Sequence, residues 1–392
     1  MKVAVIAGNE QSLINFRGSL IQELVRLGHE VVACAPEGGG SAAVELAAWG
    51  VRFAPIQFSR AGVNPLSDIL SERRMEAMFV RERPAIVLAA TIKPVVYGIP
   101  AAYRAAVSRR YALVTGLGAA FYTDGVKGHL LSVVATRLYR RALRRCTRVI
   151  VQNRDIAEFF LRRRIVDNGA RITVVPGSGV DTTYFSAKAV SAAAAPSFLL
   201  LGRLLRDKGV GEYVEAAREV RRRLPAARFL LVGDFDSNPA SITEAQLDAW
   251  KKEGVIEHRP FVSDVRAFLE GCTVYVLPSY HEGLPRSVLE AMATARPIIT
   301  TDAIGCRDTI FGVAEAASRH TDFRSGENGL LVPVKSGSAL AAAMLHLAEN
   351  PCVAAAMGRR GREIAEQHFD VCRINALMLE AMGIEGVSKR SK

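Results

Sequence analysis

Short apolar runs recur along this chain, and an amphipathic stretch follows each. In the first half they are Lys2 to Ala7, Glu30 to Ala35, Ile86 to Ala90, Ala112 to Thr115 and Val149 to Gln152. Strand-length runs alternating with helix-length periodic segments predict a parallel, doubly wound α/β sheet. A Pro- and Gly-bearing connector, Val174 to Phe185, interrupts the pattern. It then restarts with Ser197 to Leu201, Arg228 to Val232, Ile256 to His258, Val274 to Leu277 and Pro297 to Thr300. Two Rossmann-like doubly wound parallel-sheet domains facing across a cleft are the expected architecture, with ligands at the carboxyl ends of the strands. An amphipathic segment from Asp370 to Met382 closes the pattern, ahead of a polar tail from Gly386 to Lys392.

Two junctions in the second half carry chemistry. His281-Glu282-Gly283-Leu284-Pro285-Arg286-Ser287-Val288-Leu289-Glu290 follows the run Val274 to Leu277 and enters helical spacing at Ser287. Glu282 is expected in the loop and Glu290 about two turns into the helix. A helix N-terminus aimed there favours an anion through its unpaired amides and dipole, and carboxylates beside it accept hydrogen bonds from sugar or ribose hydroxyls. That combination describes a nucleotide sugar. The second junction is Gly202-Arg203-Leu204-Leu205-Arg206-Asp207-Lys208-Gly209, between the run at Phe198 to Leu201 and a helix expected from Gly211 to Arg223. Arg203 offers a forked donor and Lys208 a mobile point charge, suited to a diphosphate on which negative charge grows. Taken singly, the Gly-Arg-x4-Lys loop also reads as a helix-capping turn with solvated charges, and Glu290 as a surface residue. Their order and matching strand context favour a site.

With these residues the chain resembles glycosyltransferase family 4, the retaining nucleotide-sugar transferases of GT-B fold. The resemblance implies that Arg203 and Lys208 grip the donor diphosphate, that Glu282 faces the donor sugar as a catalytic group, and that Glu290 binds the ribose. Gly202, Phe261, Gly283, Leu284, Pro285 and Ser287 are carried over with them as donor contacts. Val175-Pro176-Gly177-Ser178-Gly179-Val180-Asp181 resembles the interdomain connector of that family, with Gly-Ser-Gly where Asn-Gly is usual. The expected domains are therefore residues 1–175, joined by a helix at about 370–385 that crosses back, and residues 190–369.

A narrower likeness lies in the first half. Asn15-Phe16-Arg17, Arg60 with Asn64-Pro65, Thr91-Ile92-Lys93-Pro94, and Thr115-Gly116-Leu117-Gly118 look like bacterial transferases that add a hexose or N-acetylhexosamine, often GalNAc, to an undecaprenyl-diphosphate-linked sugar. The resemblance implies acceptor contacts at Asn15, Arg17, Arg60, Thr91, Lys93, Thr115, Gly116 and Gly118. Gly8-Asn9-Glu10-Gln11 replaces the double-Gly loop of many family members, which fits this subgroup alone. Cys306-Arg307-Asp308 carries Asp where Glu is usual, and Phe311 to Arg324 reads as an insertion bordering the donor loop.

Composition narrows the partners. The 392 residues are 49% hydrophobic and 23% charged, enough for two separate cores. The net charge is +12, and all of it falls in residues 1–175. Arg137, Arg140, Arg141, Arg144, Arg145 and Arg148 recur at three- and four-residue steps, opposite Val134, Leu138, Ala142 and Val149. This predicts a basic stripe on one amphipathic helix, either a solvated face or a dock for the anionic inner membrane surface. Nucleic acid is disfavoured, since the stripe lacks interleaved aromatics and no nucleic-acid-binding motif stands out. Six cysteines scattered without CxxC spacing suggest neither zinc nor a disulfide framework, and they fit a reducing cytoplasm. No secretory signal and no membrane-spanning run is read, which places the protein in the cytoplasm, peripheral on the plasma membrane.

The expected reaction needs no metal and no cofactor beyond the UDP-sugar, and no dedicated base, the leaving phosphate taking the acceptor's proton. His29 and His129 read as structural or surface residues. Two rivals stay open: a non-hydrolysing UDP-GlcNAc 2-epimerase of the same fold, and a nucleotide-sugar-binding subunit without turnover.

Overall fold

A computed structural model describes every residue except 39, 59–64, 123–124, 189–194, 237, 239, 314–321 and 386–392. The chain divides into two compact units, one of Met1–Ser178 with the segment from Arg373 onward, the other of Gly179–Cys372.

In the first unit seven strands, β1 (Lys2–Ile6), β2 (Glu30–Ala35), β3 (Arg52–Pro55), β4 (Ile86–Ala90), β5 (Arg109–Val114), β6 (Arg148–Val151) and β7 (Ile172–Val174), form one sheet in the order β3-β2-β1-β4-β5-β6-β7. Every pairing is parallel, with Val3 of β1 between Val31 and Ile86. Helices cover both faces of such a sheet, so its strands are apolar throughout; β1 and β4 are buried almost end to end. Asn9 starts the helix Glu10–Arg26 by accepting a hydrogen bond from the Ser12 amide at 2.8 Å. The helix Val371–Ala381 packs Ile374, Met378 and Leu379 into the same core as Val5, Leu88 and Tyr111. Asn375 Nδ2 donates to Ser19 Oγ at 2.8 Å, and the Tyr111 hydroxyl donates to the Met382 carbonyl.

The second unit repeats the plan. Its strands are β8 (Ser197–Leu201), β9 (Arg228–Val232), β10 (Glu257–Arg259), β11 (Val274–Leu277), β12 (Ile298–Thr301), β13 (Arg324–Ser325) and β14 (Gly329–Val332), in the order β10-β9-β8-β11-β12-β14-β13. In both sheets the order reverses beside the first strand of the unit, where ligands bind in doubly wound folds. The sheet is parallel except at β13, which runs antiparallel to β14 at the edge. This short strand ends the expected insertion, of which residues 314–321 lie outside the described part. Phe311, at its start, packs edge-on against Phe369.

The basic stripe requires correction. The helix runs Gly125–Leu143, so Arg144 and Arg145 lie beyond its end and Arg148 opens β6. Several of these arginines also serve the fold. Arg141 pairs with the buried carboxylate of Glu72, Arg140 donates to the Arg163 and Arg164 carbonyls, and Arg144 faces Asp167 at 3.8 Å. Val134, placed on the apolar side, is exposed together with Val126 and Leu130. Among the described residues no single helix is long and apolar enough to cross a membrane.

Candidate functional site

Three loops meet at the carboxyl edge of the second sheet. The loop after β8 ends in Gly209, whose φ is +71° and where an added Cβ would stand 2.2 Å from the Pro278 carbonyl oxygen, just past β11. Only glycine fits there. The contact is sealed by the Tyr280 amide and the Ser279 hydroxyl, which donate to the Asp207 carbonyl at 2.8 and 3.1 Å. The loop after β12 joins the same way. The Glu282 amide donates to the Ile304 carbonyl at 2.9 Å, and a Cβ on Gly305 would lie 2.4 Å from the Glu282 carbonyl oxygen.

These approaches place Lys208 against Glu282. The ammonium Nζ donates to Oε1 in an ion pair whose members are both largely buried. Arg203 is held elsewhere: its Nη1 donates to Asp236 Oδ2 at 2.7 Å, in the loop after β9. Asp236 is itself fixed, its Oδ1 accepting the Asn238 amide at 2.9 Å and its amide donating to Ser241 Oγ at 3.3 Å. Gly202 directly follows β8. Phe261 lies just past β10 with an exposed ring, its amide donating to Asp234 Oδ1 at 3.1 Å.

The helix after Glu282 runs Arg286–Ala293, so Glu290 sits one turn in, not two. Pro285 caps it without a side-chain hydrogen bond, and its first turn carries no acidic residue. That leaves an anion-seeking terminus directly after Gly283 and Leu284. Tyr275, wholly buried in β11, donates its hydroxyl to Ser287 Oγ at 2.7 Å, which turns the serine's own proton toward other acceptors. Burial raises the Glu290 pKa above the ordinary carboxylate value, while Arg286, with Nε 2.9 Å from Oε1, opposes that shift. Burial lowers the pKa of His281, against the pull of nearby Asp207 and Glu282. Burial pushes the Cys306 thiol up to about 12, so this cysteine is no nucleophile at neutral pH.

In the first unit Thr91 closes β4 with φ +75°, a left-handed geometry rare for a branched residue. An added Cβ on Gly8 would stand 2.9 Å from Thr91 Oγ1, and one on Gly118 would meet the Ile92 side chain. The loops after β1, β4 and β5 therefore crowd together, with Thr115 and Gly116 beside them in sequence. Lys93 is drawn into the interior, its Nζ 3.2 Å from Asp68 Oδ1, while the Tyr97 hydroxyl donates to Asp68 Oδ2 at 2.7 Å. Asn15 is exposed and accepts from Gln11 Nε2 at 3.1 Å; Arg17 is buried. Arg60 and Asn64 lie outside the described residues. Asp236, Tyr275, Arg286, Asp68 and Glu72 were not among the expected site residues. Asp236 alone had a usable signal, a carboxylate just past the apolar run Arg228 to Val232.

Among the described residues no group of three His, Cys, Asp or Glu side chains is placed to hold a metal. The family model described as Glycosyltransferase Family 4 matches residues 18–184, and that described as Glycosyl transferases group 1 matches residues 195–350. An N,N'-diacetylbacillosaminyl-diphospho-undecaprenol alpha-1,3-N-acetylgalactosaminyltransferase of Campylobacter jejuni is 28% identical over 322 residues, which cover 79% of this chain and 83% of that protein. The capsular polysaccharide biosynthesis glycosyltransferase CapM of Staphylococcus aureus is 25% identical, covering 77% of each. Among solved structures, a sucrose-phosphate synthase from Thermosynechococcus elongatus superposes with TM-score 0.76 at 19% identity over 97% of this chain and 98% of its own. Anabaena Alr3699/HepE in complex with UDP-glucose superposes with TM-score 0.74 at 18% identity over 98% and 99%.

Proposed function

The chain belongs to the glycosyltransferases of group 1 and family 4 and has the GT-B fold, and from that premise we propose that it moves a hexose or N-acetylhexosamine from a UDP-sugar to a polyprenyl-diphosphate-linked saccharide in bacterial surface-glycan assembly. The anomeric configuration is retained in this reading. What carries it is the meeting of Lys208 with Glu282, which joins the cationic loop after β8 to the acidic loop and helix terminus after β11. The name of the Campylobacter relative supports the polyprenyl acceptor, and the nucleotide in the Anabaena complex supports the donor.

In the proposed reaction Lys208, Arg203 and the amides opening the Arg286–Ala293 helix meet the donor diphosphate, and Glu290 accepts the ribose hydroxyls. Glu282, released from Lys208, accepts from the donor sugar. The acceptor hydroxyl attacks the anomeric carbon on the face that UDP vacates. The bond from that carbon to the diphosphate oxygen breaks, and the leaving phosphate takes the hydroxyl proton. Negative charge grows where the two cations stand, so they act mainly on turnover and replace a metal ion. The first unit supplies the acceptor side through Thr91, Lys93, Thr115, Gly116 and Gly118, with Asn15 and Arg17 on the adjoining helix. The protein works at the cytoplasmic face of the plasma membrane, where a polyprenyl acceptor is held.

The test is incubation with membranes and a panel of labelled UDP-sugars. Label passing from one donor into the lipid-extractable fraction is the expected result. An epimerised donor without acceptor, or an unchanged panel, overturns the reading.

A further inference from the structure

We propose that Arg286 is a positioning residue of the donor site: its guanidinium fixes the Glu290 carboxylate, as an anion, for the ribose hydroxyls. The inference rests on the donor reading above and adds to it a residue that touches neither the sugar nor the reacting atoms.

The location of Arg286 is itself unusual. A cation in the first turn opposes the helix dipole, which favours acids there. An anionic partner is needed, and it is found one turn on, where Nε lies 2.9 Å from Glu290 Oε1. This i,i+4 pair runs in the less favourable direction, cation before anion. Surface helix pairing therefore does not account for it, and Glu290 is no surface residue: its side chain is 12% exposed against 29% for Arg286. A buried carboxylate left alone takes up a proton, and a protonated one offers ribose fewer acceptor sites. Polar groups on the elements packed around this helix do not replace Arg286. Tyr275 on β11 is an un-ionised phenol that donates to Ser287 and lies within reach of the charges of both Glu290 and Glu282. Arg362, from the packed helix Pro351–Ile364, spends its donors on the Phe185 and Ala293 carbonyls and on Glu366.

Binding through the ionised carboxylate is lost as pH falls through the pKa of Glu290. Removing Arg286 raises that pKa further, so the loss begins at higher pH. The experiment is calorimetric titration of UDP into the full chain from pH 8 to pH 5.5. For the wild type, affinity is expected to fall only toward the acid end of that range. For Arg286→Gln the profile is expected to shift to higher pH by about one unit, so that the same loss of affinity sets in at a tenfold lower proton concentration, and Arg286→Lys restores most of the wild-type profile. Glu290→Gln binds weakly and loses the part of the pH dependence that Glu290 contributes, and adding Arg286→Gln to it shifts the profile no further. Parallel profiles for wild type and Arg286→Gln overturn the inference, as does a loss equal at all pH values, which marks a direct contact to phosphate. Wild type that binds no UDP at any pH overturns the donor reading itself. Should Arg286→Gln fail to fold, a Glu290→Gln pH profile that still matches the wild type sinks the proposal.

Discussion

Lys208 and Glu282, 74 positions apart in sequence, form an ion pair with side chains only 19% and 15% exposed. Each neutralises the other until a donor arrives, when the diphosphate competes with Glu282 for the ammonium. Lys208→Met keeps the aliphatic stem and removes the charge, leaving Glu282 without its cation. Turnover with saturating donor is expected to fall by about 10²- to 10³-fold, the usual effect of deleting one donor to a developing anion. Because the two residues act as a pair, Lys208→Met with Glu282→Gln is expected to cost much less than the product of the single losses. Initial rates of sugar transfer check this; wild-type turnover in Lys208→Met removes the assignment.

Arg203 presents the opposite balance, since its side chain is 51% exposed while its partner Asp236 is 11% exposed and tied down by Asn238 and Ser241. A mobile cation parked on a fixed carboxylate must leave it to reach a diphosphate. Asp236→Asn weakens the parking, and UDP is expected to bind up to about fivefold tighter at low salt, the worth of an exposed ion pair near 1 kcal/mol. Fluorescence or calorimetric titration reads the sign. Weaker binding would show that Asp236 orients Arg203 toward the ligand instead of holding it back.

Gly305 tests whether the third loop shapes the site. It combines φ +77° with carbonyl oxygens of Glu282 and Gly283 at 2.4 and 2.5 Å from an added Cβ. Gly305→Ala forces a left-handed alanine, at a cost of about 1–2 kcal/mol, and pushes the Glu282 backbone away. Melting temperature is expected to drop by several degrees, and UDP affinity to fall more steeply than at Gly211→Ala, where an added Cβ meets open space. Equal affinities in the two variants contradict a role for this contact.

The ten apolar runs marked strands to within a few residues, because a strand covered on both faces leaves a continuous signature. Four strands were not read: Arg52–Pro55 and Ile172–Val174 are short and partly exposed, Arg324–Ser325 is two residues long, and Gly329–Val332, though buried, is a four-residue run that opens on glycine and stops at Pro333. Loop chemistry was readable where one segment carried it, as in Gly202 to Gly209. It was unreadable where partners came from distant segments. Nothing near Asp68 or Glu72 foretells that Lys93, Tyr97, Arg104 and Arg141 will surround these two buried carboxylates. Periodicity misled once, at Arg137 to Arg148, since three- and four-residue spacing continues past Leu143, where no Gly or Pro marks the end of the helix.

That correction relocates the proposed membrane contact. On the helix Gly125–Leu143, Val126, Leu130, Val134 and Arg137 follow one another at steps of four, four and three, so they share one face, and Leu130 is 64% exposed. An exposed apolar row continuing into Arg137 suits a helix lying in the headgroup region, apolar residues inserted and the cation on phosphate. Two contributions of different physics are then separable. Arg137→Ala is expected to weaken sedimentation with phosphatidylglycerol vesicles about fivefold, from roughly 1 kcal/mol per near-surface cation, an effect that fades in high salt. Leu130→Asn removes apolar burial of about 1.5–3 kcal/mol without adding charge, so binding drops tenfold or more and added salt does not erase the difference. Unchanged sedimentation of Leu130→Asn would leave Arg137 on a solvated face and withdraw this helix from the membrane.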